Sequence, residues 1–146
     1  MAIRLLRIGL VMALLSTSAQ AQDVRRSPLP RGHPLIGTWG IEVPGTGCHE
    51  AYTFHPNGTT SITSGKEAGE TEFELDAEPS ENGFYRWVDR IVKDNGMPDC
   101  LGAVSKVGQV ATNYLLIDTT RRLFLMCSAE DLSTCIGPFE REDIEA

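Results

Sequence analysis

The chain has 146 residues and carries 13 Lys and Arg against 20 Asp and Glu, a formal net charge of −7. That length supplies one small domain with one modest core. The acidic balance excludes nucleic acid and anionic membrane as natural partners and leaves a basic protein or a cationic ligand open.

The first segment, MAIRLLRIGLVMALLSTSAQA, sets Arg4 and Arg7 ahead of an apolar run from Ile8 to Leu15 and ends in Ala19-Gln20-Ala21. This is the pattern of a secretory signal cleaved after Ala21. The apolar run is well short of the roughly 20 residues that span a bilayer. Cleavage removes two arginines and no acid, so the mature chain carries −9 and is expected in the periplasm or outside the cell. Residues 22–34, rich in proline and arginine and without an apolar period, read as a mobile leader in which His33 is solvated.

Beyond Pro34 the pattern changes to short alternating segments divided by turn residues. No window sustains a helical period over three turns, which predicts an all-β domain over 35–142, with 143–146 as a tail. The predicted strands are 35–43, 49–56, 59–64, 70–76, 84–93, 109–118, 122–128 and 137–142. Pro56-Asn57-Gly58 marks a hairpin, because Asn-Gly supplies the positive φ a tight turn needs. Residues 95–108 form the longest irregular connection, with room for a helical turn in LGAVSKV. Eight consecutive short strands suggest an antiparallel up-and-down barrel, with a two-sheet sandwich as the alternative.

Alternating strand directions place Cys48, Cys100, Cys127 and Cys135 at one end of such a barrel. An even number of cysteines in an exported small domain reads as two disulfides, and their spacing matches no compact zinc pattern. If the last strand neighbours the first, Cys48 with Cys135 and Cys100 with Cys127 are the favoured pairs. The alternative closes a small hairpin through Cys127 and Cys135 and leaves Cys48 with Cys100.

Candidate chemical groups sit on several of these strands. In GCHEAYTFHPNGTT, His49 and His55 lie six residues apart on one strand, roughly 20 Å, and cannot share a metal ion. His55 reads as a solvated turn residue and His49 as part of the mouth rim, while Tyr52 and Phe54 face the core. Glu70, Glu72, Glu74 and Asp76 form one solubilising outer face. In FYRWVDRIV, turning Tyr85, Trp87, Asp89 and Ile91 inward buries fewer charges than turning Arg86 and Arg90 inward. Tyr114 and Leu116 are expected to complete an aromatic-rich interior. No nucleophile elbow, phosphate loop, His-Glu-x-x-His pattern, metal site or cofactor motif occurs, so no enzymatic activity is expected.

LIGTW, residues 35–39, resembles the first-strand Gly-x-Trp motif of the lipocalin and fatty-acid-binding (calycin) barrels. The resemblance implies that Trp39 closes one end of the barrel beneath a basic residue from the last strand, here Arg141 in FER. LIGTW, YTFHPNGTT and FER together also resemble small exported bacterial barrels without an agreed function. The resemblance implies a binding protein for a small apolar or amphipathic ligand, expected here as a monomer that holds it at the stapled end. The alternative is a protein-binding barrel such as the lysozyme inhibitors, whose Ser-Gly-x-x-Tyr loop is matched only by Ser64 and Gly65 in SGKEA. A connected interior cavity of about 300 Å³ favours the small ligand, and a filled interior favours the mouth loops.

Overall fold

The computed structural model describes residues 23–143, so the predicted signal segment 1–21, Gln22 and residues 144–146 lie outside it. Eight strands follow in chain order: β1 (Gly37–Val43), β2 (Cys48–Phe54), β3 (Thr59–Ser64), β4 (Glu67–Leu75), β5 (Phe84–Asp94), β6 (Val110–Ile117), β7 (Leu123–Cys127) and β8 (Cys135–Arg141). Each pairs antiparallel with the next and β8 returns to β1, which makes a closed barrel rather than a sandwich. The long connection between β5 and β6 contains no helix, and the short helical turn of the described chain is a 3₁₀ segment at Leu132–Thr134.

Alternation explains most of what is buried. On β4, Leu75, Phe73 and Thr71 point inward, while Glu70, Glu72 and Glu74 point out, as expected. The outer row is neutralised across the strand pair by Lys93 on Glu70 (3.0 Å), Arg90 on Glu72 (3.2 Å) and Arg86 on Glu74 (3.9 Å). That pairing keeps both arginines outside and leaves Trp87 and Asp89 inside. The β2–β3 hairpin turns at His55–Gly58, where Gly58 takes φ 86° and Asn57 accepts the Thr59 amide at 3.1 Å. The turn uses one positive φ, at glycine alone, so it is a three-residue loop and not the two-residue Asn-Gly type.

Two expectations fail at the closed end. The leader is seated: Val24 and Leu29 are buried, Ser27 donates to the Phe73 carbonyl (2.8 Å), and Leu29 donates to that of Pro56 (2.9 Å). A side chain at Gly58 would come within 2.9 Å of the Ser27 carbonyl, so that glycine also makes room for the leader. His33 is buried, accepts the Leu35 amide on Nδ1 (3.2 Å) and meets the Tyr85 ring edge-on at 5.3 Å. His55 is likewise not a free turn residue, since its Nε2 pairs with the Ser61 hydroxyl at 2.8 Å.

The Gly-x-Trp motif has a physical basis here. Trp39 is fully buried, donates its indole N–H to the Leu35 carbonyl at 3.0 Å, and lies under the Arg141 guanidinium, 4.2 Å from the ring centre. Arg141 also donates to the carbonyls of Ile36 (2.7 Å), Arg121 (3.1 Å) and Pro34. Gly37 sits at φ 126°, and a Cβ there would approach the Arg141 guanidinium to 2.5 Å. Glycine at that position is what lets the arginine cap the tryptophan.

Closure between β1 and β8 is brief. Only Trp39 with Arg141 and Gly40 with Glu140 are in register, and beyond them the two strands diverge around an open cleft of about 460 Å³. This divergence overturns the favoured disulfide pairing, which required β8 to run beside β1 as far as the mouth. The bridges are Cys48–Cys100 and Cys127–Cys135. Cys127 and Cys135 are directly opposite in the β7–β8 ladder, with Cα atoms 3.9 Å apart. Cys100 reaches Cys48 because the β5–β6 connection folds across the β3–β4 turn, where its amide donates to the Ser64 hydroxyl at 3.1 Å. All four cysteines do lie at the mouth.

Candidate functional site

The lower half of the barrel is filled. Phe54 packs edge-on against Trp87 (5.1 Å) and Phe73 (5.9 Å), and Phe124 stacks on Phe139 at 4.8 Å. Tyr52 meets Trp87 at 5.9 Å and forms the upper surface of this aromatic plug. Tyr52, Phe54, Trp87 and Asp89 therefore occupy the expected inner face, and Tyr85 packs against the core at the closed end beside His33.

Two expected residues lie elsewhere. Tyr114 pairs with outward Arg86, while Asn113 pairs with inward Trp87, so β6 presents Asn113 and Leu115 to the interior and turns Tyr114 and Leu116 out. His49 is outside the barrel in the β1–β8 cleft, with Nε2 2.8 Å from Glu142 and Nδ1 3.7 Å from Glu42.

Above the plug the interior opens toward the mouth as two adjoining cavities. The deeper one, about 260 Å³, is lined by Trp87, Asp89 and Asn113 among others. The upper one, about 160 Å³, takes Glu50, Glu67, Thr71, Asp94 and Asp99. Both are walled by Tyr52, Ile62, Ile91 and Ser105, which form a largely apolar collar between them. The result is a narrow acidic cup, not the deep apolar hollow that an enclosed lipid-like ligand needs.

Glu50 is held by two hydroxyls, Tyr52 donating at 2.8 Å and Ser64 at 2.7 Å. Since the Cys100 amide donates to that same Ser64, the Cys48–Cys100 bridge fixes the cup wall directly. Burial, then the Glu50 charge, pushes the Tyr52 phenol well above its ordinary range. Glu67 is raised by burial and by the neighbouring Asp94 and Asp99. Burial pushes Asp89 up to about 6, offset in part by the nearby Thr71 hydroxyl and its own backbone amide.

Asp89 therefore carries a pH signature. A folded value near 6 against 3.8 for the free group means that its contribution to stability is fully present below about pH 4 and lost as pH rises through 6. Asp89→Asn is expected to stabilise the barrel at pH 7.5 by up to about 3 kcal/mol and to change little at pH 4. Urea unfolding of both proteins at the two pH values checks this. Equal stabilisation at both would assign the gain to something other than the buried charge.

Glu50, Glu67 and Thr71 escaped the sequence reading, although the alternation contained them. Counting back by twos from Phe54 reaches Tyr52 and Glu50, and from Phe73 it reaches Thr71, Gly69 and Glu67. Among the described residues, no three His, Cys, Asp or Glu side chains converge closely enough to hold a metal ion. No described helix is long and apolar enough to cross a membrane. The most apolar concavity, about 440 Å³, lies on the outer wall and is lined by Leu116, Leu123, Leu125 and Pro138 among others.

These features define a closed antiparallel barrel with an aromatic plug, an Arg-capped end and an acidic mouth stapled by two disulfides. No protein-family model matches the chain, and neither a curated protein nor a solved structure matches it.

Proposed function

We propose that this chain is an exported, monomeric, non-enzymatic binding protein of the lipocalin-like type that takes its ligand or partner at the stapled mouth. The observation that carries this reading is the cup itself, a concave, disulfide-braced site in which Lys93 pairs with Glu70 at the rim while Glu50, Glu67 and Asp89 have no cationic partner among the described residues. The signal-like N-terminal sequence and the two disulfides support delivery to an oxidising compartment, the periplasm or the exterior. The aromatic plug speaks against a large apolar ligand, so a cationic ligand or a basic partner is the better chemical match.

Native mass spectrometry of the protein purified from its export compartment tests the reading. A retained small molecule or a stoichiometric partner, released by raised salt, is the expected result. A bare chain that captures neither, with mouth substitutions that change no association, would overturn it.

A further inference from the structure

We propose that the cup receives a linear aliphatic diammonium chain, one ammonium seated on the floor beside Asp89 and the other at the rim beside Glu67. The inference rests on the mouth as the binding site and names the chemistry it accepts. Its basis is the order of groups along the cup: carboxylate, apolar collar, carboxylate. The Asp89 carboxylate lies beside the Thr71 hydroxyl, and Thr71 and Glu67 are four residues apart on β4, roughly 13 Å of strand, so the floor and rim charges are too far apart to share one small ion. That agrees with the absence of a metal-holding cluster among the described residues. Between them the collar of Tyr52, Ile62 and Ile91 offers apolar contact to methylenes. A chain of cation, methylenes and cation reproduces that pattern.

Glu50, Glu67 and Asp89 have hydroxyl neighbours but no cationic partner among the described residues. Among the described residues no Lys, Arg or His lies within ion-pair distance of Glu50, Glu67 or Asp89, and Lys93 at the rim is bound to Glu70 at 3.0 Å. Buried charges of one sign without compensation are costly and are relieved by an opposite charge. Independently, the Trp87 indole N–H, in a residue 2% exposed that lines the deeper cavity, has no hydrogen-bond partner among the described residues. Orphaned groups of this kind are rare in folded proteins and mark where a ligand or its water completes the site. An ammonium can donate to Thr71 and Asp89 together, and the water it carries in gives the Trp87 N–H an acceptor.

The test follows the two tryptophan indole N–H resonances by NMR while 1,5-diaminopentane is added, with spermidine, 1-aminopentane, 1,5-pentanediol and an end-blocked lysine peptide as further probes. Diamine and spermidine are expected to move Trp87 and leave Trp39, which is bonded to Leu35, in place. Their affinity should exceed that of the monoamine by about tenfold or more, and Asp89→Asn and Glu67→Gln should each remove about tenfold. Asp89→Asn loses affinity while gaining stability, a combination that unfolding cannot produce. Equal binding of the diol or monoamine, unchanged affinity in both variants, or no response at about 10 mM diamine would overturn the assignment. Binding confined to the lysine peptide would overturn it too, by assigning the ammonium to a protein partner. If a purified partner or neutral ligand moves the mouth resonances while diamines do not, this inference fails and the mouth reading stands. If nothing moves them and the native protein is bare, both fall.

Discussion

Trp39→Ala is expected to remove about 4 kcal/mol of stability, in the range for deleting a fully buried large aromatic. That is a large fraction of the roughly 6 to 18 kcal/mol expected for a domain of this size. The deletion acts in three ways at once. It empties the closed end, where Trp39 packs edge-on against Phe124 at 5.0 Å. It leaves the Leu35 carbonyl without its indole donor. It also removes the aromatic face beneath Arg141, whose guanidinium still holds backbone carbonyls on both flanks. Trp39→Phe keeps much of the volume and loses the donor, so it should cost about 2 kcal/mol. Urea unfolding of both variants, and of each combined with Arg141→Met, measures the terms; the cation–ring coupling should come out at about 0.5 to 2 kcal/mol. A loss below about 1 kcal/mol for Trp39→Ala would show that the closed end is not a structural keystone.

The two disulfides should differ in what they contribute. Cys48–Cys100 closes 52 residues and Cys127–Cys135 closes 8, so chain-entropy arguments give about 4 and about 2.5 kcal/mol respectively. Replacing both cysteines of one bridge with serine, one bridge at a time, and measuring unfolding midpoints and slopes tests this order. The long bridge carries a second expected effect, because its loss frees the Cys100 amide from Ser64 and loosens the support of Glu50. The short bridge only joins the ends of one hairpin, so its removal should leave the cup unchanged. If the short bridge proved the larger contributor, native-state strain rather than loop closure would dominate.

The barrel was legible because its strands alternate cleanly where one face is charged. Glu70, Glu72 and Glu74 opposite Lys93, Arg90 and Arg86 leave no doubt about which side of β4 and β5 faces water. The same test fails on β6, where Tyr114 and Leu116 are as apolar as Leu115 and Ile117; only the β5 register decides, through Trp87 opposite Asn113. The leader misled for a related reason. Val24 and Leu29 have no period, so their burial depends on a surface made by distant strands and not on any local pattern. The disulfide pairs went astray because adjacency in a closed sheet was extended over the full height of a seam that holds only two residue pairs. The cup was half visible: Asp89 stood out as a lone inward acid, while Glu50 and Glu67 required the inward phase to be carried to the strand ends.

The short β1–β8 seam also bears on how these molecules behave when crowded. Above Gly40 the facing edges of β1 and β8 are not laddered to each other, and unpaired strand edges invite a strand from another molecule. The side chains along that gap are unwelcoming: Glu42, Glu140 and Glu142 set like charges on an incoming copy, and Pro138 withholds an amide donor. A second barrel would meet the same acids on itself. The opening is thus defended against edge-to-edge polymerisation by repulsion, which full closure of the sheet would otherwise have supplied.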